Sequence, residues 1–192
     1  MTPRTPTRDQ AWTLLTEYTS GDRLLKHALS VEAAVRGYAR EAGEDEEVWG
    51  IVGLLHDFDY ERWPDLDDHP FRGSEILRAR GYPESVVRAI LSHADHAGVD
   101  REIPLEHTLF ACDEMSGFVT AATLVRPSKS ILDLETRSVR KRMKDKAFAR
   151  AVSREDLRRG AEEIGRTLDD HITHVIRFMR AEAEEIGLKG SL

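Results

Sequence analysis

Four residues of this chain could together do metal chemistry: His27, the adjacent pair His56-Asp57, and Asp113. The pair ends the run Leu54-Leu55-His56-Asp57, so an imidazole and a carboxylate close the most apolar helical segment of the sequence. An ionised carboxylate taken out of water without a partner costs several kcal/mol or more, so such a group is paired, protonated or metal-bound. By itself the pair could equally meet solvent at a helix end. His27 stands beside the apolar stripe of the preceding segment, and Asp113 lies in the apolar stretch Leu109 to Phe118 with no basic neighbour along the chain. Two imidazoles and two carboxylates from three hydrophobic helices make a nitrogen–oxygen donor set. It suits Mn, Fe, Co, Ni or Zn, and Mg less well.

The elements that must position these residues are helical. Apolar residues recur at spacings of three and four through most of the 192 residues, and no alternating β pattern appears. A helix is predicted from the cap Thr7 to about Tyr18, and a second from Arg23 to Ala42, stopped by Gly43. Glu46 to Asp57, apolar on nearly every side, should be the central buried helix. Phe58 to Asp68 reads as an acidic, aromatic loop. Further helices are expected from Pro70 to Arg80, from Pro83 through His93, and from Pro104 past Val119. Short basic helices should fill 136–150. Another begins at the capping box Ser153-x-x-Asp156, and the last covers about 168–186. The fold class is therefore all-α, read as a single domain over 1–192 with a core at about 22–125 and a C-terminal helical extension at about 126–192.

Hydrophobic residues make up 40% and charged residues 33% of the chain, an ordinary globular balance. A net charge of −7 argues against general attraction to nucleic acid or anionic membrane. One cysteine, Cys112, excludes an internal disulfide and fits a reducing compartment. The polar start MTPRTPTRDQ lacks the apolar core of a signal peptide, and no apolar run approaches membrane-spanning length. The expectation is a cytoplasmic protein with neither a membrane nor a nucleic-acid polymer as partner.

The order His27, His56-Asp57, Asp113 resembles the H…HD…D signature of the HD-domain superfamily, over about Leu24 to Val119. The resemblance implies a compact all-helical bundle and a metal-dependent phosphohydrolase. His69, before Pro70 and Arg72-Gly73-Ser74, and His93, closing Ala89-Ile90-Leu91-Ser92, extend it toward the HDIG-type and HD-GYP-type branches. By that analogy Asp57 bridges two ions, one held also by His27, His56 and Asp113, the other by His69 and His93. His96 is the substitute ligand. Where the HDIG branch has Ile-Gly, this chain has Phe58-Asp59, which argues against carrying that branch's substrate across. Gly81-Tyr82-Pro83 precedes His93 rather than following it, and Pro83 is explained as a helix start.

Asp59 is expected at the mouth of the site, as a supporting carboxylate or proton acceptor, with a solvated loop acid as the alternative. Arg126 and Lys129, in the basic loop after the Asp113 helix, are the candidates for binding substrate phosphate. His171, His174 and Cys112 are assigned packing or surface roles. The expected reaction is hydrolysis of a small phosphorylated metabolite or nucleotide, through one or two divalent transition-metal ions that lower the pKa of bound water. A mixed-valence di-iron oxygenase of the same six-ligand type is the alternative, with Glu17 and Tyr18 lying upstream of His27 where such enzymes carry lid residues, and a catalytically silent metal- or nucleotide-binding sensor is a third.

Overall fold

The computed structural model describes residues 6–191, which form helices and turns with no strand among the described residues. The helices are α1 (Arg8–Tyr18), α2 (Asp22–Ala42), α3 (Glu46–Leu55), α4 (Phe71–Ala79), α5 (Glu84–Ser92), α6 (Pro104–Leu124), α7 (Thr136–Met143), α8 (Arg154–Glu163) and α9 (Leu168–Ala181), with a single 3-10 turn at Asp95–Ala97. No helix is long and apolar enough to cross a membrane.

Local chemistry sets the element ends. Thr7 and Gln10 make a reciprocal capping box at the start of α1. The Asp45 carboxylate accepts the amides of Glu47 and Val48 and so opens α3. Pro104 occupies the first turn of α6, and Ser153 caps α8 through the Asp156 amide. Two expectations fail here. The basic stretch 136–150 supplies one helix, α7, and then turns; the last helix stops at Ala181 and turns fill 182–187.

The two long helices α2 and α6 pack on each other, and the other elements cover them. α3 lies along α2, with every residue from Trp49 to Leu55 buried. α5 leans on α6, α4 on α5, and α1 on α3. On the far side α8 and α9 close over α6, α9 reaching α2 as well. The α6–α8 crossing is tight, because a Cβ at Gly160 would lie 2.7 Å from the Ala111 Cα.

A buried polar link ties the same elements together. The His171 Nε2–H on α9 donates to the Ala111 carbonyl on α6 (2.8 Å), so its Nδ1 must accept the Tyr38 hydroxyl from α2 (2.7 Å). Burial pulls the imidazole pKa down to about 4, so it stays neutral at ordinary pH. His171 is thus a core residue, in keeping with the packing role expected for it.

Two outcomes follow. Gly160→Ala should destabilise the protein by about 1–3 kcal/mol in chemical denaturation, since a backbone atom cannot move aside as a side-chain tip can. The unfolded chain protonates His171 near 6.5 and the native one only near 4, so the unfolded state binds the extra proton between those values. Stability contributed by this link is therefore full above about pH 6.5 and falls as the pH drops toward 4. In NMR titration the His171 ring signals should stay unchanged down to about pH 5; a midpoint near 6.5 would refute the neutral, buried assignment.

Candidate metal centre

Four helices and the turns after α3 converge on one point. His27 comes from the second turn of α2, His56 and His93 stand immediately after α3 and α5, and Asp113 sits at the middle of α6. Asp57 and His69 come from the turns between α3 and α4. The ligand atoms fall into two groups, each compact enough for a single ion: His27, His56 and Asp113, and Asp57, His69 and His93.

Asp57 faces both. Its Oδ1 lies 3.3 Å from His69 Nε2 and 3.4 Å from His93 Nε2, while its Oδ2 lies 3.6 Å from His56 Nε2. Asp113 Oδ1 is 3.0 Å from His27 Nε2 and 3.4 Å from His56 Nε2. His56 is fully buried, and its Nε2 has no hydrogen-bond partner among the described residues. A buried nitrogen left in that state marks a place where a further partner belongs.

The histidines are oriented from behind. His56 Nδ1–H donates to the Gly53 carbonyl (2.8 Å), and His93 Nδ1–H donates to the Ile90 carbonyl. Each ring bonds a carbonyl in the last turn of its own helix, which directs Nε2 into the cluster. The negative ends of α3 and α5 thereby face the same spot, an arrangement that favours a cation. For His69 the same service comes from Asp59, whose Oδ1 lies 2.8 Å from Nδ1 and whose Oδ2 accepts the Gly73 amide at 2.7 Å. A Cβ at Gly73 would come within 2.8 Å of that carboxyl carbon, so the contact requires glycine.

In the ion-free protein the imidazoles supply the compensating charge. Burial pulls His69 down, but hydrogen bonds and attraction from Asp57 and Asp59 outweigh it and hold the ring at about 9. His56 and His93 are likewise raised, because neighbouring carboxylates overcome the penalty of burial. Burial pushes the Asp57 and Asp113 pKa values up, and the adjacent histidines more than reverse it, leaving both well below the usual carboxylate range. The donor set, the fixed ring orientations and the unpartnered Nε2 all fit a metal ion.

Residues 24–116 match the family model of the HD domain. Residues 24–116 of this chain are an HD domain. HD domains are metal-dependent hydrolases as a class, and the matched segment spans His27, the His56-Asp57 pair, His69, His93 and Asp113. A comparison with solved structures finds no match.

Other expected site residues lie elsewhere. Asp59 is 1% exposed and stands behind His69, not at the mouth of the HD-domain cluster, and both its oxygens are engaged. Arg126 is bound through two nitrogens by Asp133, beyond the end of α6. Leu124 is already about 16 Å along the helix from Asp113 at 1.5 Å per residue, so the structure does not bring Arg126 or Lys129 to the cluster. His96 donates to the His69 carbonyl (2.7 Å) and supports that residue's backbone. Phe58 is wholly buried, edge-on against Tyr18, and faces the core. Glu17 is held by Arg80, and Tyr18 packs on Phe58 under the Arg62 guanidinium; neither contacts the cluster.

Sequence reasoning passed over Tyr60 and Glu114. Tyr60 is 39% exposed with its ring edge-on to His69 at 5.3 Å. Glu114, next to Asp113, is half-buried and pushed up to about 7, by burial first and then by the Asp113 charge. An aromatic in the loop after the HD pair, and an acid adjoining a ligand carboxylate, were the signals available.

Ion binding to the second group should release the His69 proton. That proton is present below about pH 9, so affinity should rise with pH and level off above 9. Calorimetry of Mn or Zn binding in buffers of different ionisation enthalpy should register the release at neutral pH; a buffer-independent heat would contradict it. Asp59→Asn should weaken this group by about 10–100-fold while leaving the first intact, read as a split in the two binding constants.

Proposed function

We propose that the chain hydrolyses a phosphate monoester of a small metabolite at a two-ion centre. The observation that carries this reading is the division of Asp57, with one oxygen toward His69 and His93 and the other toward His56. In this reading His27, His56 and Asp113 hold one ion, His69 and His93 hold the other, and Asp57 spans both. The nitrogen–oxygen donors suit Mn, Fe, Co, Ni or Zn. When bound, such ions polarise a phosphoryl oxygen and make hydroxide available near neutral pH.

The residues themselves do three things. Asp57, His27 and Asp113 have side chains about one-fifth exposed, so a small group reaches the ligand face while His56 and His93 stay covered behind it. Asp59, Gly53 and Ile90 fix the three rings, so little reorganisation accompanies binding. No lysine or arginine is paired with any of the six residues among those described, which favours one phosphoryl group over a polyphosphate chain. Tyr60 offers an apolar wall for the rest of the substrate.

The six donors also suit the di-iron oxygenase reading, but Glu17 and Tyr18, which lie where its lid residues are expected, are committed elsewhere. Nothing else in the geometry favours it.

A panel of phosphomonoesters, nucleoside triphosphates and phosphodiesters should be assayed with Mn-, Co- and Zn-reconstituted protein, with oxygen uptake followed in parallel on iron-loaded protein. Release of phosphate from one or more monoesters, lost in Asp57→Ala, is expected. Substrate-dependent oxygen consumption without phosphate release would replace this function with the oxygenase.

A further inference from the structure

A separate cavity lies at the C-terminal end of α6, away from the His/Asp cluster at the middle of that helix. There the helix terminus and α7 enclose a cavity of about 350 Å3, lined by Val125, Arg126, Ser138, Lys141, Arg142 and one acid, Asp145. The Arg126 guanidinium is clamped along one edge, with Nε and Nη2 on the Asp133 carboxylate at 3.1 and 2.7 Å. Its Nη1 has no hydrogen-bond partner among the described residues. Among the described residues Lys141 and Arg142 have no carboxylate within ion-pair distance, and the Ser138 hydroxyl has no hydrogen-bond partner. Arg142 instead stacks over Phe148, 5.2 Å from the ring centre. Asp145 accepts the Ala147 amide.

Many arginines elsewhere in the molecule are neutralised. Arg8, Arg36, Arg40, Arg72, Arg78, Arg80, Arg101, Arg159, Arg166 and Arg177 all sit on carboxylates. Seven basic residues and one acid lie between Arg137 and Arg150 in a chain whose net charge is −7. Two cations without carboxylate partners among the described residues, Lys141 and Arg142, thus line one concavity together with an arginine that is already immobilised. A planar guanidinium held along one edge presents its remaining donors at little entropic cost, which suits the oxygens of a phosphate. Val125, 49% exposed, adds apolar surface to the same cavity.

We infer that this cavity binds a small organic phosphate, its phosphoryl oxygens among Arg126, Ser138, Lys141 and Arg142 and its organic part against Val125. The site is separate from the metal cluster and does not rest on the proposed hydrolysis. Phenylphosphonate is the probe, since its carbon–phosphorus bond prevents turnover as an ester, and calorimetry on the full chain reads its affinity. Saturable binding of one equivalent is expected, retained in Asp57→Ala, and weakened by about tenfold or more in Lys141→Glu through loss of a charge-assisted bond. Both Lys141 and Ser138 lie toward the surface, so Ser138→Ala, with unchanged thermal unfolding, should weaken binding by a smaller factor. Absence of saturable binding at millimolar phenylphosphonate would overturn the assignment. So would binding that survives Lys141→Glu and disappears in Asp57→Ala, which would place the anion at the metal cluster.

Discussion

The structure turns on gathering Asp57, Asp59 and Asp113 inside a helical bundle, Asp59 wholly buried and the other two mostly covered. Three carboxylates in an apolar interior would repel each other and protonate unless positive charge stood among them. His27, His56, His69 and His93 are placed to supply it, or to yield their lone pairs to an ion that does. Asp57 is the pivot, because its two oxygens face the two halves of the cluster.

The fold serves that cluster by a device used twice. α3 and α5 each end on a histidine that donates its Nδ1–H to a carbonyl of its own last turn. The bond fixes the ring tautomer and turns Nε2 inward in a single contact. α2 and α6 add His27 and Asp113 from their sides. The loop after α3 returns His69 on a short path, held by Asp59 against the start of α4. Helices and their ends thus supply four of the six donors, Asp57 follows directly after His56, and a carboxylate steadies His69.

The all-helical class and the first group of donors were legible because their signal is local. Apolar residues on both sides of His56-Asp57 and of Asp113 leave those polar groups nowhere to go but inward. His69 and His93 needed the family resemblance, since a histidine before a proline, or after a short apolar helix, does not by itself reveal its direction. Asp59 was recognised as important but set at the mouth, because residue spacing does not tell which way a turn folds; the Gly73 amide draws it behind His69. Arg126 and Lys129 follow the Asp113 helix in sequence, yet a long helix carries its two ends far apart, and that length separates them from the cluster. The polar link through His171 joins α2, α6 and α9 across long sequence separations, and no periodic pattern records it.

The central claim is that one carboxylate spans two ions. Anomalous diffraction from a manganese- or zinc-loaded crystal tests it most directly. The account predicts two peaks about 3.5–4 Å apart, one bonded to the Nε2 atoms of His27 and His56, the other to those of His69 and His93, each within bonding distance of a different Asp57 oxygen. A single peak at full metal loading, or two peaks with Asp57 bound to only one of them, would contradict it.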